Sequence, residues 1–271
     1  KMTEQEDSQK KEHASTDSSS HSAHPSPHIE HKPSPTHHTP HVIHKSQDEL
    51  INIRKDKVAS FLRDKVSWLW YLVLAAIVWV SIHVRTRNLS GLRDITTQTW
   101  TLGPDLDPFL FLRWSKHIVE HGSLFVLDTM RYVPLGFNTS EELLLHPYLM
   151  AWFHNIASFF GSESVTHSAV LYPVAMFALT IIAFFVMIRI IFEKSLGETR
   201  ATITALIASF FLAVIPVILP RTIAGIPEKE SAGFLFLFLG FYLFVKAWNS
   251  EKPKKSYLFA LLAGAATAGM T

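Results

Sequence analysis

The chain has no cysteine, which excludes disulfides, thiolate nucleophiles and cysteine-held metals. It has little net charge, +2 with histidine neutral, too small a surplus to neutralise a polyanion, so no nucleic-acid partner is expected. No internal repeat is evident. No cleavable signal peptide is expected, because the first apolar run begins far from the start and no small-residue cleavage pattern follows it closely. From Lys1 to about Gln47 apolar residues are sparse, with Val42 and Ile43 the main exception, and Ser, Pro, His and charged side chains crowd the rest. Such a segment cannot bury enough surface to offset its chain entropy, so residues 1–50 are expected to form a disordered cytoplasmic tail. Nine histidines fall in the first 44 residues, His37, His38 and His41 among them. They match no metal-ligand spacing and read as part of a solvated tail.

Beyond Trp68 the character reverses to long runs of Leu, Ile, Val, Ala and Phe. A spanning helix needs roughly 20 mostly apolar residues, and five stretches come close: 66–84, 167–192, 201–219, 232–248 and 257–271. The last is cut off mid-run and the first residue is Lys, as expected of a fragment of a longer protein. The expected fold class is therefore all-α integral membrane, a multi-span helical domain over 51–271.

A sixth stretch, Leu143–Phe160, is broken by His146, Pro147, His154 and Asn155 and reads as not crossing. The positive-inside rule agrees. With that segment outside the count, three basic groups share the cytoplasmic side: Arg54, Lys55, Lys57, Arg63 and Lys65; Lys194 and Arg200; and Lys252, Lys254 and Lys255. The N-terminus is then cytoplasmic, 85–166 and 220–231 are external, and 193–199 and 249–256 are cytoplasmic loops. Arg85, Arg87 and Arg93 are the cost of this topology. Within the first external segment, Asp107-Pro108 and then Gly122 bracket a helix over Phe109–Val119. Phe111, Trp114 and Ile118 share one side of it, away from Lys116 and Glu120, which suits a helix lying in the membrane interface. The interface is also the default place for Trp100, Tyr132, Tyr148 and Trp152.

The candidate chemistry lies in acids. Asp105 and Asp107 stand in Gly-Pro-Asp-Leu-Asp-Pro, and Glu228 and Glu230 in Ile-Pro-Glu-Lys-Glu-Ser. Under this topology both groups face one side. Carboxylates from separate loops can converge on a divalent cation such as Mg2+ or Mn2+, which prefers hard oxygen ligands and neutralises phosphate oxygens of a lipid-linked substrate. Helix capping accounts for the same residues: Asp107 before Pro108 is a good N-cap, and anions are favoured at the start of the helix that follows Glu228. Spacing leaves both readings open.

Three ordered motifs carry a family resemblance. Asp107-Pro108-Phe109-Leu110-Phe111-Leu112-Arg113 resembles the first external-loop motif of oligosaccharyltransferase catalytic subunits of the archaeal type. Arg131-Tyr132-Val133-Pro134-Leu135-Gly136 with Glu142-Leu143-Leu144-Leu145-His146-Pro147-Tyr148 is similar to the later part of that loop. Arg221-Thr222-Ile223-Ala224-Gly225-Ile226-Pro227-Glu228-Lys229-Glu230 resembles the second acidic motif. The resemblance implies the multi-span glycosyltransferase fold called GT-C. It also implies transfer of a dolichol-linked oligosaccharide to Asn in Asn-x-Ser/Thr sequons, with Mn2+ or Mg2+ as cofactor. By the same resemblance Asp107 is a metal ligand that also contacts the acceptor amide, Glu228 and Glu230 are metal ligands, and Arg221 lies beside the site. The implied partners are the dolichol-linked oligosaccharide, an acceptor polypeptide and the lipid bilayer. Glu228 stands where the family usually has Asp, and its extra methylene adds roughly 1.5 Å of reach. The family's Trp-Trp-Asp-Tyr-Gly motif is not within these residues, so the fragment alone is expected to be inactive.

Two other readings compete: another GT-C transferase such as a protein O-mannosyltransferase, or a non-catalytic transporter or assembly subunit. Asn88-Leu89-Ser90 and Asn138-Thr139-Ser140 match the Asn-x-Ser/Thr acceptor pattern, which is short enough to arise by chance.

Overall fold

A computed structural model of the 271-residue chain describes residues 47–270. Most of the expected tail, with its histidines, lies outside the described residues, while its last positions, 47–50, are the start of a helix. The chain divides into two units, Lys1–Ile51 and Asn52–Thr271, and the second contains the packed helices.

Among the described residues seven α-helices carry the fold: α1 Gln47–Arg85, α2 Asp107–His121, α3 Leu145–Phe159, α4 Val165–Leu196, α5 Glu198–Val214, α6 Lys229–Trp248 and α7 Pro253–Ala268. Their ends follow local chemistry. Pro108 occupies the first turn of α2, where its missing N–H costs nothing, and Gly122 closes the helix at φ 79°, its N–H donating to the Ile118 carbonyl. Ser164 caps α4 by accepting from His167 N at 3.1 Å. A single residue, Gly197 at φ 77°, separates α4 from α5, so most of the expected 193–199 loop is helical. α5 stops at Val214 rather than running to 219, because Pro216 forces Ile215 out of the helical region to ψ 125°.

Among the described residues three helices are long and apolar enough to cross a membrane: Trp68–Arg85 within α1, α4 and α6. At 1.5 Å per residue the 32 residues of α4 reach about 48 Å, more than the roughly 30 Å hydrocarbon core. α3, with 15 residues, reaches only about 22 Å and is not among them. α5 and α7 have 17 and 16 residues.

α4 is shared by two apolar cores. On one side Phe177, Ile181 and Phe185 pack with Leu74 and Ile77 of α1 and Ala205, Leu206 and Ala213 of α5. On the other, Ala169, Val170, Tyr172 and Val174 meet Phe111 and Leu112 of α2, Met150 of α3, Ala224 and Ala232. The periodic face of α2 is therefore spent on protein: Phe111, Trp114 and Ile118 are buried while Lys116 and Glu120 are exposed. This corrects the interfacial reading of that helix, whose apolar stripe lies under α3 and α4 and is not left for lipid.

Between α2 and α3 a short antiparallel hairpin pairs β1, Leu127–Asp128, with β2, Phe137–Asn138. Its anchor is Asp128, whose buried carboxylate accepts from Arg113 Nη1 at 2.7 Å, from Arg113 Nη2, from Trp114 Nε1 at 3.0 Å and from Met130 N at 3.1 Å. The Arg113 guanidinium beside it holds this carboxyl at about 2, against an ordinary 3.8. Asp128→Asn should lower stability by on the order of 2 kcal/mol at neutral pH, less than a fully buried pair because Arg113 is a third exposed. Since the folded-state value is depressed, the contribution is complete above about pH 4 and is lost as pH falls toward 2. Thermal unfolding of wild type and variant in detergent across that range should show the gap between them closing.

Candidate functional site

A knot of backbone hydrogen bonds brings four separate segments together. Gly103 N donates to Gly225 O at 2.8 Å, Gly225 N to Val170 O at 2.9 Å, and Ala224 N to Arg85 O at 2.9 Å. Asn88 Nδ2 adds a fourth bond, to Ala224 O at 2.8 Å, so the amide of this sequon asparagine is already engaged. The strand of chain that precedes Asp105 and Asp107 is thereby fixed to the loop that precedes Glu228 and Glu230. Gly225 sits at φ 86°, and a side chain there would meet Leu92 Cδ1 at 2.6 Å and Gly103 N at 3.2 Å.

Arg85 locks the other side of the loop. Its side chain is fully buried, donating through Nε to Thr222 Oγ1 at 2.9 Å and through Nη1 to Ala213 O at 2.8 Å and Ser81 Oγ at 3.1 Å. Its guanidinium also lies 3.6 Å over the Phe177 ring. Of the three arginines that strain the expected topology, this one is part of the protein interior.

The loops open onto a cavity of about 400 Å3 lined by Asp107, Leu110, Phe111, Arg131, Glu142, Arg221, Glu228, Lys229 and Glu230. All four residues singled out from the sequence, Asp107, Arg221, Glu228 and Glu230, line it together. The capping reading holds in part: Asp107 and Glu230 stand in the first turns of α2 and α6, where the positive helix end favours anions, but the side-chain caps are missing. Asp107 is the first residue of α2 rather than its cap, and neither it nor Glu228, which does stand at the cap position of α6, makes a side-chain capping bond. Glu228 is 3% exposed. One of its oxygens, Oε2, accepts from Arg221 Nη1, whereas Oε1 is buried with no partner. Burial pushes the Glu228 carboxyl well above its ordinary range, with Asp105 and Glu230 adding to the rise and Arg221 opposing it. Asp105 Oδ2 lies 3.9 Å from Arg221 Nη1, so this acid, unassigned in the sequence reading, borders the site.

Sequence reasoning missed the cations and the histidine that frame these acids. Lys229, between the two glutamates, reaches across the cavity to Glu142 Oε1, and Arg131 Nη1 approaches Glu142 Oε2 at 3.6 Å. The Lys229 ammonium beside Glu142 holds its carboxyl below the usual range. His146, 4% exposed, sits behind the cavity with Nε2 3.1 Å from the Pro227 carbonyl. Burial lowers its imidazole to about 4, Lys229 adding to the drop while the Pro227 bond and Glu230 oppose it. Arg131, Glu142 and His146 lie inside the motif spanning 131–148, but Lys229, which pairs with Glu142, and Pro227, which meets His146, are many residues away and no local pattern reveals them. Among the described residues no group of three or more His, Asp or Glu side chains stands close enough to hold a metal ion.

Long apolar helices with a charged cavity at the loops joining their ends define a polytopic helical membrane protein. The structure resembles the Archaeoglobus fulgidus oligosaccharyltransferase in complex with Zn and sulfate, with TM-score 0.57 and 23% identity over 72% of this chain and 24% of that one. It also resembles archaeal AglB from the same organism in complex with an inhibitory peptide and a dolichol-phosphate (TM-score 0.60, 20% identity, 75% and 24% covered). A third similar structure is the A. fulgidus enzyme tethered to an acceptor peptide containing the NVT sequon (TM-score 0.59, 20% identity, 75% and 24% covered). No curated protein matches the chain at a significant level. Residues 94–268 match the family model "Oligosaccharyl transferase STT3, N-terminal", and the chain belongs to that family. It spans about a quarter of the length of the solved relatives.

Because the knot at Gly225 sets the spacing between the two acidic loops, Gly225→Ala should cost about 1–3 kcal/mol through its positive φ and the Leu92 contact. Gly91→Ala, whose added Cβ meets nothing within 4 Å, should be nearly neutral. Unfolding midpoints of the two variants in detergent check this.

Proposed function

We propose that the chain is the membrane-embedded first part of an oligosaccharyltransferase that moves a dolichol-linked oligosaccharide onto Asn in Asn-x-Ser/Thr sequons. The observation that carries this reading is the single cavity lined by Asp107, Arg221, Glu228 and Glu230, entered by a buried carboxylate with one oxygen unpartnered. The relatives were solved with dolichol-phosphate, with acceptor peptide, and with Zn and sulfate, chemistry that suits a site of acids interleaved with cations.

The donor chemistry, hard carboxylate oxygens, suits a divalent cation, although the three carboxylates do not converge closely enough in this structure to hold one. Carboxylate oxygens from two loops face one cavity, and Glu228, though paired with Arg221 through Oε2, keeps Oε1 buried without a hydrogen-bond donor. Asp107, Glu228 and Glu230 would hold Mn2+ or Mg2+, which when bound would neutralise phosphate oxygens of the leaving group. The protein's own groups account for the rest. Asp107 is exposed at the start of α2, where its carboxylate can accept a hydrogen bond from the acceptor amide and orient its nitrogen. Arg221, with half its side chain exposed, can turn its guanidinium toward the donor's phosphate while still neutralising Glu228. The domain and sidedness readings belong to the same proposal: a partial GT-C transmembrane domain over 51–271, an N-terminus in the cytoplasm, and both acidic loops outside it. The basic groups around 54–65, 194–200 and 252–255 support that orientation. Of the two sequons, Asn138 is the exposed one.

Membranes carrying the full-length protein, supplied with dolichol-linked glycan and a fluorescent Asn-x-Thr peptide, test this. Glycopeptide should form, should stop when a chelator is added, and should fall on the order of 100-fold or more in Asp107→Asn. No glycopeptide from folded wild-type protein with a competent donor would overturn the reading in favour of another GT-C reaction or a non-catalytic role.

A further inference from the structure

A second residue behind the cavity bears on how Glu228 is presented. His146 lies in the first turn of α3, and this turn is fixed to α2 because Ser115 Oγ donates to the Pro147 carbonyl at 3.1 Å. The imidazole packs edge-on against Phe111 of α2, 4.8 Å between centroids, and against Tyr172 of α4 at 5.4 Å. Phe111 is one helical turn from Asp107. The remaining contact of the ring is polar, Nε2 to the Pro227 carbonyl at 3.1 Å. A carbonyl only accepts, so Nε2 carries the proton and Nδ1 is the bare acceptor. That Nδ1 is buried without a partner, and Tyr172 Oη nearby is equally unpartnered. An apolar ring would avoid leaving that nitrogen unsatisfied. The imidazole therefore contributes something an apolar ring cannot, and its one engaged polar atom holds the peptide that leads into Glu228.

We propose that His146 is a positioning residue, whose Nε2–H fixes the Pro227 carbonyl so that the Glu228 carboxylate enters the cavity opposite Asp107. Upstream, the knot at Ala224 and Gly225 sets the path of the loop. Downstream, Ser231 Oγ holds the Glu228 carbonyl at 2.7 Å. His146 fixes the residue between these two anchors, and through Phe111 it ties that residue to the first turn of α2. The inference rests on the reading that Asp107 and Glu228 serve one site.

Two variants of the full-length protein separate this role from simple packing. His146→Gln keeps a donor able to reach the Pro227 carbonyl, whereas His146→Phe keeps the ring against Phe111 and Tyr172 and loses the donor. Hydrogen exchange of the backbone over 222–230, measured without metal or substrate, should quicken about 10-fold in His146→Phe and stay within about 2-fold of wild type in His146→Gln. Mn2+ titration followed by unfolding midpoint, with no donor or peptide present, should need about 10-fold more Mn2+ in His146→Phe and near wild-type amounts in His146→Gln. Wild-type exchange over 222–230 in His146→Phe, or equal loosening in both variants, would overturn the proposal. Absence of any Mn2+ effect on the wild-type protein would overturn the metal reading of the site, and the exchange comparison would still decide the role of His146.

Discussion

Four hydrogen bonds around Ala224 and Gly225 hold the end of α1, the segment before α2, the middle of the 222–228 loop and the first third of α4 in one place. Most are backbone to backbone, so they depend on chain path more than on side-chain identity. The exception is the missing side chain of Gly225, which lets Gly103 approach to 2.8 Å. Without this contact the loops bearing Asp107 and Glu228 would be joined only through side-chain contacts, such as Asp105 with Arg221 and His146 with Pro227, and through the packing of helices.

On that frame stands a cavity of opposed charges. Asp107, Glu142, Glu228 and Glu230 face it together with Arg131, Arg221 and Lys229. Glu142 gathers Lys229 and Arg131, leaving Arg221 to Glu228. Such a network is costly where partly satisfied, since a low-dielectric surrounding penalises each unpaired group. The unsatisfied Glu228 Oε1 is therefore the feature of this cavity that most calls for a ligand. Asp128 belongs to a different task. Three donors from Arg113 and Trp114 tie the hairpin to α2, and Asp128 does not line the cavity.

Much of this was legible in the residues. Pro108 and Gly122 marked the ends of α2, and the apolar runs marked the long helices, because caps and lipid-length stretches are local properties. The motif around Arg221 to Glu230 pointed to the acids through its resemblance to the family. What α2 packs against was not legible: an apolar stripe reads alike whether lipid or protein covers it, and here α3 and α4 do. The fate of Arg85 was equally hidden, since only the fold decides whether a basic residue at a helix end meets water or the carbonyl of Ala213.

The sequence by itself determined the three longest apolar helices and which carboxylates stand at helix starts, because each follows from composition within one or two turns, while it overran α5 and read the α4–α5 junction as a loop. Tertiary structure alone decided that Asp107, Arg221, Glu228 and Glu230 share a cavity, that Glu142 and Lys229 close one side of it, and that His146 stands behind Pro227. Those pairings join residues 81 and 87 positions apart in the two bonded cases. Contacts at such separations come from how helices pack, and no local pattern of residues encodes them.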